Sequence, residues 1–460
     1  MIETKVKHDM ISKVVMKNFK CYKDCTIRFK NFNVLCGPNS SGKSSIIQAI
    51  LFLLQNIDTE QNNLITNGKF VHFDEFDEIK NYEISAAKPI EIKLYDTARK
   101  SYIFKLEKSK NADSIRCEKK IKEFQLKEEK NIFYISADRI GPEDVYDKYK
   151  GTTIGFQGEN AIGFIAKFKD YAIDEKYIYD KDIPSNYTFL GEVNYWLKEI
   201  IGEKINADNL DKTDRSRATY VKDGQRLQVR NKNTGSGLSY VVSIIIMVLS
   251  IAVNKAQERP TFIIENPEIH LHPAAQIKLM QFLLFMSNYC QIIIETHSDH
   301  IIKHVIENNG QVIKIHNFLP LYYTKNSHRI LPTITLGEIK WTVFDMPTID
   351  FHISLYSYLQ SKFGCSRPNQ TDDEIRKTVA FISNKKKYDT KSRRYRNFSG
   401  AISEYETLPT YMRNVIDHPK KIRPDEPARR KYRHSESEFE AALKKSIEFM
   451  IDIIYENGWL

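Results

Sequence analysis

FNVLCGPNSSGKSSIIQAILFLLQ, residues 32–55, decides the fold. Its opening residues are mostly apolar and strand-prone, and its closing IIQAILFLLQ reads as an apolar helix. Between them GPNSSGKS satisfies G-x-x-x-x-G-K-[ST]. A strand that feeds a glycine loop opening a helix is the context in which this pattern binds phosphate. Its backbone N–H groups turn inward, and the positive helix end adds to their pull. The spacing makes Gly37, Asn39, Ser41, Gly42, Lys43, Ser44 and Ser45 the expected ATP-binding residues. Lys43 is placed to reach the outer phosphates, and the Ser44 hydroxyl to ligate Mg²⁺.

Working outward, ISKVVM, TIRF and FNVLC within residues 11–36 read as three short strands. Residues 57–130 turn polar and charged, with candidate strands at 90–95 and 102–106, and are expected to form an inserted β-rich lobe. A second insertion, about 160–230, opens with helical patterning and closes on RATYVKDGQRLQVRN, a hairpin turning at Asp223 and Gly224. The core pattern then resumes as helix 240–253, strand 261–265, helix 273–286, strand 291–295 and helix 298–307. Short apolar strands alternating with helices predict an α/β fold with a largely parallel, buried sheet. From about 351 only helices are expected: FHISLYSYLQSKF, DDEIRKTVAFI, GAISEYETLPTYMRNVIDH and SEFEAALKKSIEFMIDIIYE. The chain thus reads as an ATPase domain over 1–340 and an all-α domain over 345–460, with the boundary between 335 and 350.

Composition sets the bounds. With 460 residues, 41% of them apolar and 12% aromatic, the chain can bury a substantial core, which excludes a disordered or fibrous protein. Its six cysteines are scattered, and the close pair Cys21 and Cys25 lacks a second pair to complete a zinc site, so free thiols in a reducing cytosol are expected. MIETKVKHDMISK at the start has no apolar stretch, and the apolar run at 240–253 falls short of the roughly 20 residues a bilayer demands. The expectation is a cytoplasmic protein with no membrane partner. A net charge of +10 suits a polyanionic partner.

A second set of residues surrounds the same chemistry. In FIIENPEIHLHP, Glu265 ends one strand and Glu268 follows three residues on. A strand-end carboxylate can support the Mg²⁺ shell, and the next can polarise an attacking water. In QIIIETHSDH, His297 follows another buried strand, where a donor can face a γ-phosphate. NTGSGLS, 233–239, is another glycine and serine loop entering a helix, with Gly235, Ser236, Gly237 and Ser239 offering N–H groups to an anion. Within one chain that loop duplicates the first; its use becomes clear if it closes on the nucleotide of a second copy. His270, His272, His297, His300 and His304 have spacings that split between strand and helix, which favours nucleotide-edge and packing roles over a dedicated transition-metal site.

The order GPNSSGKS, NTGSGLS, IIENPEIHLHP, ETHSDH resembles the ABC-type ATPases of the SMC-like and OLD-like group, including PtuA-type phage-defence ATPases. The resemblance covers roughly residues 10–310, with weaker echoes in NFKCYKD, NGKFVHFDEF and YISADRIGP. It implies that Lys43 and Ser44 bind ATP and magnesium, that Glu265 fills the metal-supporting position and that Glu268 polarises water. It also implies His297 as the switch histidine and Gly235 to Ser239 as a signature loop acting across a head-to-head homodimer or higher even oligomer. The chain departs from that pattern in having glutamate at 265 where most ABC proteins have aspartate. No glutamine after the first helix is identified as that of a sensing loop, although Asp74 lies in the corresponding stretch, and no long heptad segment supplies coiled-coil arms.

In the C-terminal region KKKYDTKSRRYR, 385–396, interleaves basic residues with Tyr388 and Tyr395, and 420–433 is basic again. Cations among aromatics can neutralise phosphates and stack on unpaired bases, the combination that single-stranded RNA or DNA rewards, and RNA, transfer RNA included, is the expected partner. MRNVIDHP places Arg413, Asn414 and His418 in R-N-x-x-x-H. An arginine to hold a phosphodiester and a histidine to move a proton suit metal-free RNA cleavage. Here the resemblance is to the HEPN ribonuclease fold, which implies a composite active site built by two copies. The region lacks the strands and D-x-D cluster of a TOPRIM nuclease. The sequence thus predicts an ATP-gated endoribonuclease of antiviral defence. A sensor ATPase whose helical tail docks a separately encoded nuclease or toxin, and a DNA-repair ATPase, are the alternatives.

Overall fold

The structure, a computed structural model, describes residues 10–57, 64–85, 88–108, 115–122, 132–151, 154–222, 224, 228–230, 236–254, 259–325, 329–383, 393–396, 402–417 and 436–459. The chain divides into two compact units, Met1–Lys325 and Asn326–Leu460.

In the first unit β1 (Ile11–Phe19), β2 (Tyr22–Arg28) and β3 (Phe32–Cys36) lead into α1 (Lys43–Gln55). A one-turn α2 (Phe76–Ile79) precedes β4 (Ile90–Asp96), β5 (Ser101–Lys108), β6 (Ile115–Lys122), β7 (Ile132–Ile135) and β8 (Tyr146–Asp147). Next come α3 (Ala161–Phe168), α4 (Phe189–Ile201), β9 (Glu203–Asn209), β10 (Arg215–Lys222) and β11 (Gln228–Arg230). The unit closes with α5 (Ser236–Leu249), α6 (Ile251–Asn254), β12 (Thr261–Glu265), α7 (Pro273–Met286), β13 (Gln291–Glu295), α8 (Asp299–Glu307), β14 (Gln311–His316) and β15 (Leu319–Tyr323).

The central sheet has six strands in the order β15-β14-β3-β13-β12-β7. All its neighbours pair in parallel except β14 with β15. β3, β13 and β12 are almost wholly buried, which is why their sequences run apolar without alternation. A second sheet of five strands, β2-β1-β4-β5-β6, is antiparallel throughout. The expected β-rich lobe over 57–130 is therefore not a separate body: β4, β5 and β6 carry on the sheet that β1 and β2 begin. Its inward residues Ile90, Ile92, Leu94, Tyr102, Phe104 and Leu106 join one core with α1 and with Leu35, Ile263 and Ile293 of the parallel sheet. That sandwich explains why α1 is apolar nearly all round, with residues 49–54 buried in an unbroken run.

The hairpin expected to turn at Asp223 and Gly224 has its strands in β10 and β11, with Val221 opposite Gln228 and Gly224 at φ 79°, and Asp223 lies outside the described residues. β10 also pairs with β9 and β8, so the helical insertion carries its own small sheet. On α4, Glu192 is fully buried and accepts hydrogen bonds from the Trp196 indole N–H (2.8 Å) and the Tyr179 N–H (3.2 Å). Burial pushes its carboxyl up to about 7 against the pull of these two donors. The folded state thus keeps a proton that the unfolded chain releases near pH 4.5. The associated stabilisation is complete below that value and is lost as pH rises through 7. Glu192→Gln should flatten this dependence, lifting the urea midpoint at pH 8 while leaving that at pH 4.5 nearly unchanged.

The second unit contains α9 (Leu336–Phe344), α10 (Ile349–Phe363), α11 (Pro368–Lys377), α12 (Val379–Ser383), β16 (Arg393–Arg396), β17 (Ile402–Tyr405), α13 (Leu408–Asp417) and α14 (Glu436–Glu456). The division falls at Lys325, ahead of the 335–350 interval read from the sequence, because α9 packs on α10 through Trp341 and Phe351. The all-α expectation needs correction, since β16 and β17 pair antiparallel, Arg393 opposite Tyr405. The helix expected from 400 begins only at Leu408, after β17. Its start is fixed from outside: Asp372 of α11 accepts from the Glu406 N–H (3.0 Å), the Thr407 N–H (3.0 Å) and the Thr407 hydroxyl (2.5 Å). Those donors precede the helix and have no intrahelical partners to compete for them. Phe351, Leu355, Leu359, Met412, Ile447 and Ile454 form the core between α10, α13 and α14.

Candidate active site

Strand register brings the site together. In the parallel sheet Leu35 lies beside Glu295, and Glu295 beside Glu265, so the ends of β3, β13 and β12 form one row. The loop after β3 wraps over that row, in the crevice outside the carboxyl ends of parallel strands. Gly37 and Gly42 hold φ of 136° and 104°, which L side chains rarely adopt. A Cβ at Gly37 would stand 2.5 Å from the Ile315 carbonyl oxygen, and one at Gly42 would stand 2.7 Å from the Tyr22 hydroxyl. Tyr22 donates that hydroxyl to the Gly42 carbonyl at 3.0 Å, bracing the loop from β2.

The loop is chemically suited to a triphosphate with Mg²⁺. Lys43 is buried, and its Nζ donates to the carbonyls of Gly37 (3.1 Å) and Pro38 (2.9 Å), bending the ammonium back over the loop. Burial lowers its pKa, and the negative Glu295 opposes that shift. The Ser41 hydroxyl is buried without a hydrogen-bond partner, and no side chain caps the N-terminus of α1. An anion would satisfy both. Asn39 is exposed on the loop, and the Ser45 hydroxyl lies 3.8 Å from Cys21 Sγ.

The acidic residues take distinct positions. Glu265 accepts from the Tyr134 hydroxyl (2.9 Å) and the Ala137 N–H (3.3 Å), and burial raises its pKa. Glu268 accepts from the His297 N–H at 2.7 Å, which ties the turn after β12 to the loop after β13. Burial raises its pKa too, against hydrogen bonds from His297 and Thr296. The Ser44 hydroxyl donates to Glu295, not Glu265, at 3.0 Å. Burial, then the neighbouring Glu265, pushes Glu295 up to about 7. His297 has its pKa lowered by burial and by the Lys43 charge, so its imidazole stays neutral at pH 7. Among the described residues no group of three or more His, Cys, Asp or Glu is arranged to hold a metal ion by itself.

Arg139, part of YISADRIGP but without a role in the sequence reading, organises the turn. It is 3% exposed, and it donates from Nη1 to the carbonyls of Ser136 (3.0 Å) and Glu265 (2.9 Å) and from Nη2 to that of Asn266 (2.8 Å). Burial lowers its pKa to about 10, opposed by Tyr240, Glu268 and Glu265. Asn266 itself sits at φ 41°, a left-handed conformation that asparagine tolerates better than most residues. Arg139 also covers the Tyr240 ring at 5.2 Å, and Tyr240 in turn meets the His270 ring at 5.3 Å.

Ser236, Gly237 and Ser239 fall in the first turn of α5, whereas Gly235 lies outside the described residues. A Cβ at Gly237 would stand 2.7 Å from the His270 carbonyl oxygen, so this turn sits directly against the one following β12. In the second unit, Arg413 Nη2 is 2.7 Å from Asp417 Oδ2, and Nη1 donates to Asn414 Oδ1 at 3.1 Å. Asn414 is buried and donates to the Thr410 carbonyl at 2.8 Å. His418 and most of the basic stretches 385–396 and 420–433 lie outside the described residues.

A family model described as "AAA domain, putative AbiEii toxin, Type IV TA system" matches residues 32–303. Structural maintenance of chromosomes protein 4 of Dictyostelium discoideum is 35% identical over 118 residues, 21% of this chain and 8% of that protein. The DNA replication and repair protein RecF of Acetivibrio thermocellus is 38% identical over 71 residues, 14% of this chain and 19% of that protein. The chain thus spans less than a quarter of the relatives it matches. Among solved structures, an Smc head domain with an extended coiled coil, bound to the C-terminal domain of ScpA from Pyrococcus furiosus, aligns at 13% identity. That alignment has a TM-score of 0.43 and covers 68% of this chain and 95% of that one. The cofactors of an ATPase domain of this kind are ATP and Mg²⁺. Among the described residues no helix is long and apolar enough to cross a membrane.

Proposed function

Because the chain belongs to the family described as AAA domain, putative AbiEii toxin, Type IV TA system, we propose that it is an ABC-type ATPase controlling a metal-independent ribonuclease in its own C-terminal unit, in antiviral defence. The observation that carries the ATPase half is the row of strand ends, where the Lys43–Ser44 loop, Glu265 and Glu295 stand side by side and Glu268 joins His297. Lys43 and Ser44 hold the triphosphate and its metal, and Glu265 supports the metal. Glu268 polarises the attacking water, and His297 offers a neutral N–H to the γ-phosphate. Residues 235–239 close the pocket from a second copy, so nucleotide binding pairs two chains.

That pairing sets the geometry of the ribonuclease half. Arg413 and Asn414 share the last turns of α13, and His418 comes one residue after its end. In this reading Arg413 holds the scissile phosphate, His418 moves the proton, and the basic stretches bind RNA. Incubating the purified protein with total RNA, with and without ATP, tests it. His418→Ala should lower cleavage by about 100-fold or more, the range for removing a general acid or base, with ATP turnover unchanged. Wild-type cleavage by that variant rejects the assignment.

A second reading rests on the Arg413–Asp417 ion pair, in which the arginine is already engaged by its own helix. A helical docking module for a separately encoded nuclease or toxin accounts for that pairing. Stable co-purification with such a partner, and full toxicity after His418→Ala, would select it.

A further inference from the structure

We propose that Glu295, the last residue of β13, positions Ser44 for Mg²⁺ and so shares the support of the nucleotide's metal with Glu265. Three placements carry this. The parallel register sets Glu295 between Leu35 on β3 and Glu265 on β12, under the loop that leads into α1. Of the carboxylates in the crevice, Glu295 receives the Ser44 hydroxyl, at 3.0 Å. Glu265 is turned toward Tyr134 and Ala137, and Glu268 toward the His297 N–H.

The chemistry favours the same assignment. A serine that ligates Mg²⁺ does so through an oxygen lone pair, so its proton must point away from the metal. A carboxylate oxygen 3.0 Å off accepts that proton and fixes the rotor. Glu295 is 5% exposed and stands beside Glu265 in the strand register. Glu295 is also joined through Thr296 to His297, so the carboxylate that feels the metal sits two residues from the group facing the γ-phosphate.

The proposal concerns only the ATP site and stands whether or not the C-terminal unit cleaves RNA. It is tested by measuring the affinity of the full chain for a slowly hydrolysed ATP analogue with Mg²⁺ and with EDTA, for wild type, Glu295→Gln and Glu265→Gln. The readout is the ratio of the two affinities, which a general loss of structure does not selectively change. Glu295→Gln should shrink the Mg²⁺ enhancement at least about tenfold, in line with loss of an outer-shell partner, while binding in EDTA stays within about threefold of wild type. A parallel loss in Glu265→Gln agrees with shared support. An enhancement within threefold of wild type in Glu295→Gln overturns the proposal, whatever Glu265→Gln does. Should Glu295→Gln fail to fold, Glu295→Asp decides: it keeps the charge but withdraws it from Ser44, so the enhancement should still fall, and an unchanged ratio is again a refutation.

Discussion

Replacing Lys43 by alanine should weaken ATP binding by roughly 30-fold to several thousand-fold, equivalent to about 2–5 kcal/mol for removing one partner of a buried charge contact. The side chain is 4% exposed, and its ammonium is held by the Gly37 and Pro38 carbonyls at the mouth of α1. Incoming phosphate oxygens exchange those neutral acceptors for charged ones, which bind the same donors more strongly. Without nucleotide the variant gives up only two ordinary hydrogen bonds, so its melting temperature should drop modestly. Isothermal titration with ATP and Mg²⁺ checks the first part and a thermal melt the second. Binding within threefold of wild type would mean that Lys43 does not touch the triphosphate.

Arg139→Ala should have the largest effect on stability, about 3–5 kcal/mol, the range for removing one side of a buried charged network. It takes this donor from the carbonyls of Ser136 and Glu265, leaves that of Asn266 with only the longer bond from the Ile269 N–H (3.3 Å), and removes a cation that opposes the raised pKa of Glu265 and Glu268. The turn from 266 to 270 includes two residues other than glycine at positive φ, Asn266 and His270, and the guanidinium holds its first carbonyls. Arg139→Lys should restore only part of the loss, because a single ammonium cannot fork to carbonyls on both sides as the planar guanidinium does. Urea unfolding of the first unit gives the energies, and ATP turnover should fall in step. A midpoint unchanged by Arg139→Ala would show that the network is redundant.

Much of the nucleotide site is legible in the sequence because its parts are local. GPNSSGKS carries strand, loop and helix within one continuous stretch, and the apolar strands ending at Glu265 and Glu295 announce a buried parallel sheet. Glu295 lies in QIIIETHSDH, yet its role depends on register. Only the pairing of β13 with β3, more than 250 positions earlier in the chain, sets that carboxylate beneath Ser44. Arg139 is hidden for a related reason: its partners are main-chain carbonyls, which leave no mark on residue type. The antiparallel sheet reads as a separate lobe because strand patterning shows which residues pair but not with whom. In the second unit the sequence merges Ile402–Tyr405 into a helix, although Pro409 and the Asp372 cap hold the start of α13 at Leu408.

The tight seat of Gly237 against the His270 carbonyl makes two distant stretches of the chain a single mechanical part. No slack remains between them for a methyl group, so a tilt of α5 toward the acidic turn would press on the His270 carbonyl. In the paired arrangement proposed above, that contact would carry the state of each pocket to the helix tip offered to the other copy.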